Sequence, residues 1–290
     1  MNSGPRVVAI GGGHGTAVTL RAARSYAGQI TAIVSTADDG GSSGRLRDVL
    51  SVPALGDLRK CLGALASPSS SLAPMLEVRY REGPLKGHAM GNLWLAGLLE
   101  ETGSLEAAMG EAARRLETVG AVLPATSVPT ELRAINAHGE MVGQAAIGQT
   151  RALRSVSLHP VEAEAPSAAL DAILAATQVL IGPGSLFTSV LAAVVAPGVV
   201  EALRSTQAQV VYLSNLQPQV PETAGFTVAD HLEALERHGL RPDVALWDPA
   251  AGLELGRTMV PHLGARLGGS SALVHDPDLL GAALRGLLEA

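Results

Sequence analysis

The chain has 290 residues, 47% of them hydrophobic and 17% charged, which is enough apolar material for one large domain or two small ones. Its formal charge is −6 and only 2% of its residues are aromatic. General nucleic-acid binders are basic and stack single strands on aromatic rings, so that class is excluded. The single cysteine, Cys61, excludes an internal disulfide framework and a cysteine-rich zinc site, and fits a reducing, cytoplasmic setting. No secretory signal pattern is visible. The longest apolar stretch, near Val190 to Val200, is interrupted by Pro197-Gly198 and is too short to span a bilayer, so no membrane insertion is expected.

In chain order, Arg6 to Ile10 is a short β-branched run ending in Gly11-Gly12-Gly13-His14-Gly15-Thr16. A helical pattern through Val18, Leu20, Ala23 and Tyr26 follows, and then a strand from Ile30 to Thr36. Strand, glycine loop, helix and strand make a βαβ unit, which implies a parallel sheet with a right-handed crossover. The loop Asp38 to Arg47 comes next. Helices are predicted over Gly56 to Leu65, with Asp57 as N-cap, from Gly87-His88-Ala89-Met90-Gly91-Asn92 through Glu100, and over Leu105 to Leu116. Residues from about 122 to 158 read as a β-rich insertion containing a hairpin at Asn136 to Glu140. The α/β pattern then resumes. A helix over Leu170 to Ala176 and a strand over Gln178 to Ile181 lead into Gly182-Pro183-Gly184-Ser185 and a helix to Val195. Another helix starts at Val199, a strand covers Val210 to Asn215, and a helix covers Thr227 to His238. A short strand at Ala272 to Val274 precedes a C-terminal helix from about Asp276. The expected fold is a single α/β domain, Rossmann-like, with a mostly parallel sheet flanked by helices and a small β-rich insertion.

The strand-end loops carry the chemistry. Asp38-Asp39-Gly40-Gly41-Ser42-Ser43-Gly44-Arg45-Leu46-Arg47 concentrates glycines, serines and arginines in ten residues. Glycine lets backbone approach a ligand, serine binds phosphate oxygens, and arginine grips them bidentately. The first glycine loop lacks the third glycine of a dinucleotide fingerprint, and the acid expected about twenty residues on would be Asp38 or Asp39. A ribose-binding acid has no need of the Gly-Gly-Ser-Ser-Gly-Arg behind it, so phosphate or sugar at a helix N-terminus is the better reading. Gly184 and Ser185 are either a capped turn or a phosphate contact, and Gly56-Asp57-Leu58-Arg59-Lys60 either a capped helix or a ligand site. His88 is a candidate phosphate donor or acid–base group, and Asn92 and Asn215 are candidates to address a base, ribose or sugar. No metal motif or hydrolase triad is present. One of the adjacent acids Asp38 and Asp39, with Asp39 preferred, is a candidate to hold Mg²⁺ together with ligand phosphates.

Together these segments resemble the YvcK family of gluconeogenesis factors within the CofD-like superfamily. The resemblance rests on Ile10 to Gly15, Ala37 to Arg47, Gly56 to Arg59, Gly87 to Asn92, Leu123 to Thr126, Gly182 to Ser189, and Glu222-Thr223 before Gly225-Phe226. The Asp-Asp-Gly-Gly-Ser-Ser-Gly-Arg run is the hallmark of the regulatory branch. The resemblance implies a cytoplasmic bacterial protein linked to carbon metabolism, envelope precursor supply and cell shape, binding UDP-sugars such as UDP-N-acetylglucosamine. The related CofD enzymes are phospholactate transferases, which supplies the alternative of a Mg²⁺-dependent transferase with Asp38, Asp39 or His88 as catalytic candidates. The pyrophosphate is expected at Gly12, Gly13, Ser42, Ser43, Gly184 and Ser185 near Arg45, with His14, Asp57 and Arg59 in the ligand-binding set. His14, Lys60, Val220-Pro221 and Ala224 depart from the family pattern and bear on sugar or base selectivity. Homo-oligomerisation and any regulatory protein partner are left open.

Overall fold

The computed structural model describes residues 4–50, 52–269 and 273–289. β1 (Arg6–Gly11), α1 (Gly13–Ala23) and β2 (Gln29–Val34) form the βαβ unit that the sequence predicts. The segment after β2, read as a loop, turns helical at Gly41 to give α2 (Gly41–Leu50). Gly41 takes a left-handed φ of 53°, which glycine adopts without penalty. Arg45-Leu46-Arg47 behind it are good helix formers, and Leu46 is buried. Then follow α3 (Gly56–Leu65), a 3₁₀ turn (Ala73–Glu77), α4 (Met90–Thr102), α5 (Leu105–Leu116) and β3 (Ala121–Pro124). β4 (Glu131–Asn136), β5 (Gly139–Val142), α6 (Gln144–Gly148) and β6 (Ser155–His159) come next. After α7 (Ser167–Leu174) and β7 (Gln178–Ile181), a π-helical segment (Leu186–Leu191) runs into α8 (Ala192–Val194) and then α9 (Val199–Ser205). β8 (Gln209–Leu213), α10 (Val228–Arg237), β9 (Val244–Trp247), β10 (His262–Gly264) and α11 (Pro277–Glu289) complete the described chain.

Seven strands form one parallel sheet in the order β10-β9-β8-β7-β1-β2-β3. The strands are apolar on both sides because helices cover both faces. In β1, Val8 and Ile10 enter the core on one face, and Val7 and Ala9 enter the core on the other. The expected insertion at about 122–158 divides. β3 is the edge strand of the main sheet, paired with β2, and only β5-β4-β6 forms a separate antiparallel sheet. Its hairpin pairs Asn136 with Gly139, as the turn residues indicate. Two further expectations change. The N-cap position of α3 is Leu55, not Asp57, which stands in the first turn. Ala272 lies outside the described residues, and Leu273 and Val274 form a turn rather than a strand, next to an isolated bridge between Gly268 and His275.

α11 is tied to the sheet by polar groups under the core. The Tyr26 hydroxyl donates to Gln178 Oε1 at 2.7 Å, and Gln178 Nε2 donates to the Leu284 carbonyl at 3.2 Å and to Gln209 Oε1 at 3.0 Å. Gln209 Nε2 donates in turn to the Leu287 carbonyl at 3.0 Å. Gln178 is fully buried, and these bonds satisfy a side chain that an apolar sheet would otherwise exclude. Among the described residues, no single helix is long and apolar enough to cross a membrane.

Candidate functional site

From β1 the chain proceeds to β2 and β3 on one side; from β7 it proceeds to β8, β9 and β10 on the other. The order therefore reverses between β1 and β7. In an open parallel sheet, ligands bind outside the carboxyl ends of the strands at such a reversal. The loops found there are Gly11–Gly13 and Gly182–Ser185. They are held against each other by backbone contact. A Cβ on Gly15 would strike the Pro183 carbonyl group, with the carbonyl carbon 2.7 Å away. Thr19 Oγ1 bridges to the Gly182 carbonyl at 3.1 Å.

α1 starts from Gly12 without a side-chain cap, and α3 starts without one too. The first turns of α1, α2 and α3 touch. Asp57 Oδ2 lies 2.8 Å from the position of a Cβ on Gly12, and Ser43 Oγ lies 2.5 Å from that of a Cβ on Gly56. Glycine at both places leaves room for these side chains where the helix starts converge. The N–H groups of a helix's first turn, which have no intrahelical acceptor, carry partial positive charge and bind anions.

The predicted residues beyond Gly12 and Gly13 form a connected network. Ser42 Oγ accepts from Asn92 Nδ2 at 3.2 Å and lies 3.1 Å from His88 Nδ1. Arg45 Nε donates to His88 Nε2 at 3.4 Å, so Nδ1 carries the ring proton and donates to Ser42. Burial, then Arg45, holds the His88 imidazole below its ordinary value, consistent with that neutral form. Ser42 thus receives two hydrogen bonds and keeps its own proton for a ligand. Arg59 does not reach the cleft. It is 1% exposed, and its guanidinium donates to Asn92 Oδ1 at 3.2 Å and to Glu77 Oε2 at 3.0 Å. Its role is to position Asn92, which positions Ser42. The exposed Arg45 is the cation that faces outward from this network, whereas Arg47 is engaged by the carbonyls of Asp38 and Thr130.

The adjacent acids separate. Asp39 Oδ1 accepts from the Ala145 N–H at 2.8 Å, at the start of α6, with Gly143 beside it. Asp38 turns the other way: its Oδ1 accepts from Gly40 N–H at 2.8 Å, and Ser43 bonds the same carboxylate. Burial, reinforced by Asp57, raises the Asp38 carboxyl above its ordinary range. The acid placed against the glycine loop is therefore Asp57, whereas Asp38 lies by the start of α3, its Oδ2 3.9 Å from the position of a Cβ on Gly56. Asp57 is bound by Lys60 at 2.9 Å. Lys60, then partial burial, lowers the pKa of the exposed His14. No cluster of three or more metal-ligating side chains occurs among the described residues.

The third wall is the loop after β8. Asn215 engages both polar groups of Gly184, accepting from its N–H and donating to its carbonyl, each at 2.9 Å. It shapes the loop with the groups that were expected to meet a base or sugar. Ser185 makes no capping bond to the π-helical segment. That end is capped instead by buried Glu222, which accepts from Phe187 N–H at 2.6 Å and from Thr188 Oγ1 at 2.9 Å. Its thirty-odd-residue separation from the helix it caps hides this role from sequence reading, although the Glu222-Thr223 motif marks the position. Two cavities flank the turn. One of about 300 Å³ is lined by His14, Gly184, Asn215 and Gln219, and one of about 440 Å³ by Gln144, Ser185, Gln219 and Glu222.

Fold and site define a Rossmann-like α/β protein with its cleft at the reversal of strand order. Residues 7–251 match the family model of 2-phospho-L-lactate transferase CofD. A gluconeogenesis factor from Halalkalibacterium halodurans is 40% identical over 240 residues, covering 80% of this chain and 73% of that protein. A Mycobacterium leprae protein provisionally given the same name is 46% identical over 249 residues, covering 81% of this chain and 69% of its own. In a Nostoc relative the matched region is 52% of the protein. A crystal structure of a UPF0052-family protein from Bacillus halodurans superposes with a TM-score of 0.93 at 32% identity, over 98% of this chain and 99% of that one. The chain belongs to the YvcK family of gluconeogenesis factors in the CofD-like superfamily.

Proposed function

We propose that this chain is a nucleotide-sugar-binding regulator, of the UDP-N-acetylglucosamine type, acting in the cytoplasm in carbon metabolism, envelope precursor supply and cell shape. The observation that carries the proposal is the contact of three helix starts, two of them lacking side-chain caps, at the reversal of strand order, beside two cavities. The pyrophosphate lies against Gly12, Gly13, Ser42 and Ser43, with Arg45 on its outer side. The cavities on either side of Gly184 and Ser185 accept the nucleoside and the sugar. His88 is neutral and bonded at both ring nitrogens, which favours a holding role over proton transfer. Calorimetric titration with UDP-N-acetylglucosamine and other UDP-sugars tests this. Saturable binding that weakens in Ser42→Ala and Arg45→Ala is the expected result, and no binding by a folded sample overturns it.

A second reading, a Mg²⁺-dependent transferase of a phosphate-bearing group, is supported by the CofD family match and by the placement of Asp38, its Oδ2 3.9 Å from the position of a Cβ on Gly56, beside Asp57 at the start of α3. Mg²⁺ binds few protein carboxylates and several phosphate oxygens and waters, so these two acids are a fitting set. Asp38 and Asp57 would hold the ion, which would neutralise phosphate charge. Asp39, engaged by α6, would not. Product formation lost in Asp57→Asn favours this reading over the regulator.

A further inference from the structure

After Ser185 the chain enters the π-helical segment Leu186–Leu191, at whose start the Ser189 and Val190 N–H groups both donate to the Ser185 carbonyl, at 3.0 and 2.9 Å. Turns of this kind are rare and concentrate at functional sites. Leu186, Phe187, Thr188, Val190 and Leu191 are buried, and Ser189 is the one residue of the segment that turns out of the core. It turns toward the glycine loop. Its Cβ lies 3.4 Å and its Oγ 3.6 Å from the position of a Cβ on Gly12, and its Cβ lies 3.7 Å from that of a Cβ on Gly184. The Ser189 side chain therefore stands between the two strand-end loops.

The threonine hydroxyls around this contact are engaged within the protein. Thr16 Oγ1 donates to the Gly12 carbonyl at 3.2 Å, Thr19 Oγ1 to the carbonyls of Gly15 and Gly182, and Thr188 Oγ1 to Glu222. Ser189 Oγ has no hydrogen-bond partner among the described residues. It belongs to a half-buried residue and is open to the cleft, unlike the sealed and unpartnered Ser214 Oγ. The acid nearest the same Gly12 position, Asp57, is paired with Lys60 at 2.9 Å, so the place is not closed to an anion.

We propose that Ser189 Oγ is a ligand-binding hydroxyl, donating to a phosphate oxygen from the β7 side of the cleft as Ser42 does from the α2 side. This deepens the nucleotide-sugar reading and rests on it. A serine hydroxyl rotates to aim its proton, and an ionised phosphate oxygen is among the strongest acceptors it can meet.

The test is calorimetry of the full chain with UDP-N-acetylglucosamine and with UDP, for wild type, Ser189→Ala, Ser189→Asn and Ser189→Asp. Ser189→Ala is expected to bind both ligands about 10- to 150-fold more weakly, the range for a hydrogen bond to a charged group. Its ligand-free melting temperature is expected to equal or exceed that of wild type, because no bond within the protein is lost and alanine is the better helix former. Asparagine and aspartate match in size and differ in charge, so Ser189→Asp is expected to bind at least about tenfold more weakly than Ser189→Asn beside a phosphate. Wild-type affinity in Ser189→Ala overturns the proposal. So does equal affinity in the asparagine and aspartate variants, or a loss confined to UDP-N-acetylglucosamine, which puts the hydroxyl on the sugar. A loss that comes with a lower ligand-free melting temperature makes the role structural and overturns it too. All of these outcomes leave the nucleotide-sugar reading intact. A wild-type protein that binds neither ligand overturns that reading, and the proposal with it.

Discussion

Substituting Gly15 by alanine tests whether backbone contact between α1 and the β7 turn builds the cleft. Gly15 needs no unusual φ, so alanine is acceptable to the helix itself. The obstacle is the neighbour: the new methyl would meet the Pro183 carbonyl, with the carbonyl carbon at 2.7 Å and Gly184 N at 3.3 Å, where ordinary contacts begin at 3.4 Å. The turn must retreat by about 0.7 Å or more, and it is backbone that must move, since no flexible side chain takes up the change. Overpacking of this kind costs about 2–3 kcal/mol. At roughly 2–4 °C per kcal/mol for a chain near this size, the melting temperature falls by roughly 4–12 °C. Gly97 and Gly110 serve as internal controls, because both are exposed helix positions with nothing within 4 Å of an added Cβ. Alanine there stabilises by up to about 1 kcal/mol. Thermal denaturation of the three variants, followed by titration with UDP-N-acetylglucosamine, separates the cases. A Gly15→Ala protein that melts and binds like wild type would refute the contact as the element that shapes the cleft.

Three further outcomes are expected. Asn92→Ala removes an acceptor from the buried Arg59 guanidinium and a donor from Ser42, and should cost about 2 kcal/mol in urea unfolding; a change under about 0.5 kcal/mol contradicts the network. Asp39→Ala should lower stability by about 1 kcal/mol through loss of its bond at the start of α6, yet leave any Mg²⁺ effect on nucleotide binding unchanged, whereas Asp57→Asn should abolish that effect; the reverse pattern in calorimetry with and without Mg²⁺ would return the metal to Asp39. His231 is bonded from Nδ1 to the Thr227 carbonyl at 2.8 Å, its Nε2 is buried without a partner, and burial holds its pKa below 6.5. Stability from its neutral ring is therefore complete above the unfolded value and is lost as pH falls through the lower folded value. His231→Leu should flatten the decline in stability between pH 7 and 5, and an unaltered pH profile would show that His231 does not contribute to it.

Elements with strong periodicity were legible in the sequence. α3 and α5 fall on the residues expected, and β7 matches its apolar run, because in each the alternation or stripe is bounded by a turn residue. α2 was not legible, since Gly40-Gly41-Ser42-Ser43 has the composition of a loop, and its packing of Ser43 against Gly56 of α3 joins residues apart in the chain. β9 and β10 leave little trace in the sequence: β10 is three exposed residues, and β9 is a four-residue strand. The site was legible as a set of strand-end loops. What sequence cannot supply is which polar groups are engaged by one another. Asn215 and Asn92 have the same side chain, but one shapes the β7 turn and the other links Arg59 to Ser42. Asp38 and Asp39 are neighbours whose carboxylates serve different elements. Such partitions depend on contacts between residues far apart in the chain.

A nucleotide sugar is expected to bind with its pyrophosphate at the contact of α1, α2 and α3. A crystal structure of the full chain with UDP-N-acetylglucosamine tests it most directly. Pyrophosphate density is expected against Gly12, Gly13, Ser42 and Ser43, with Arg45 closing on it and the two ends of the ligand on either side of Gly184. Ligand density away from the carboxyl ends of β1 and β7 would contradict it.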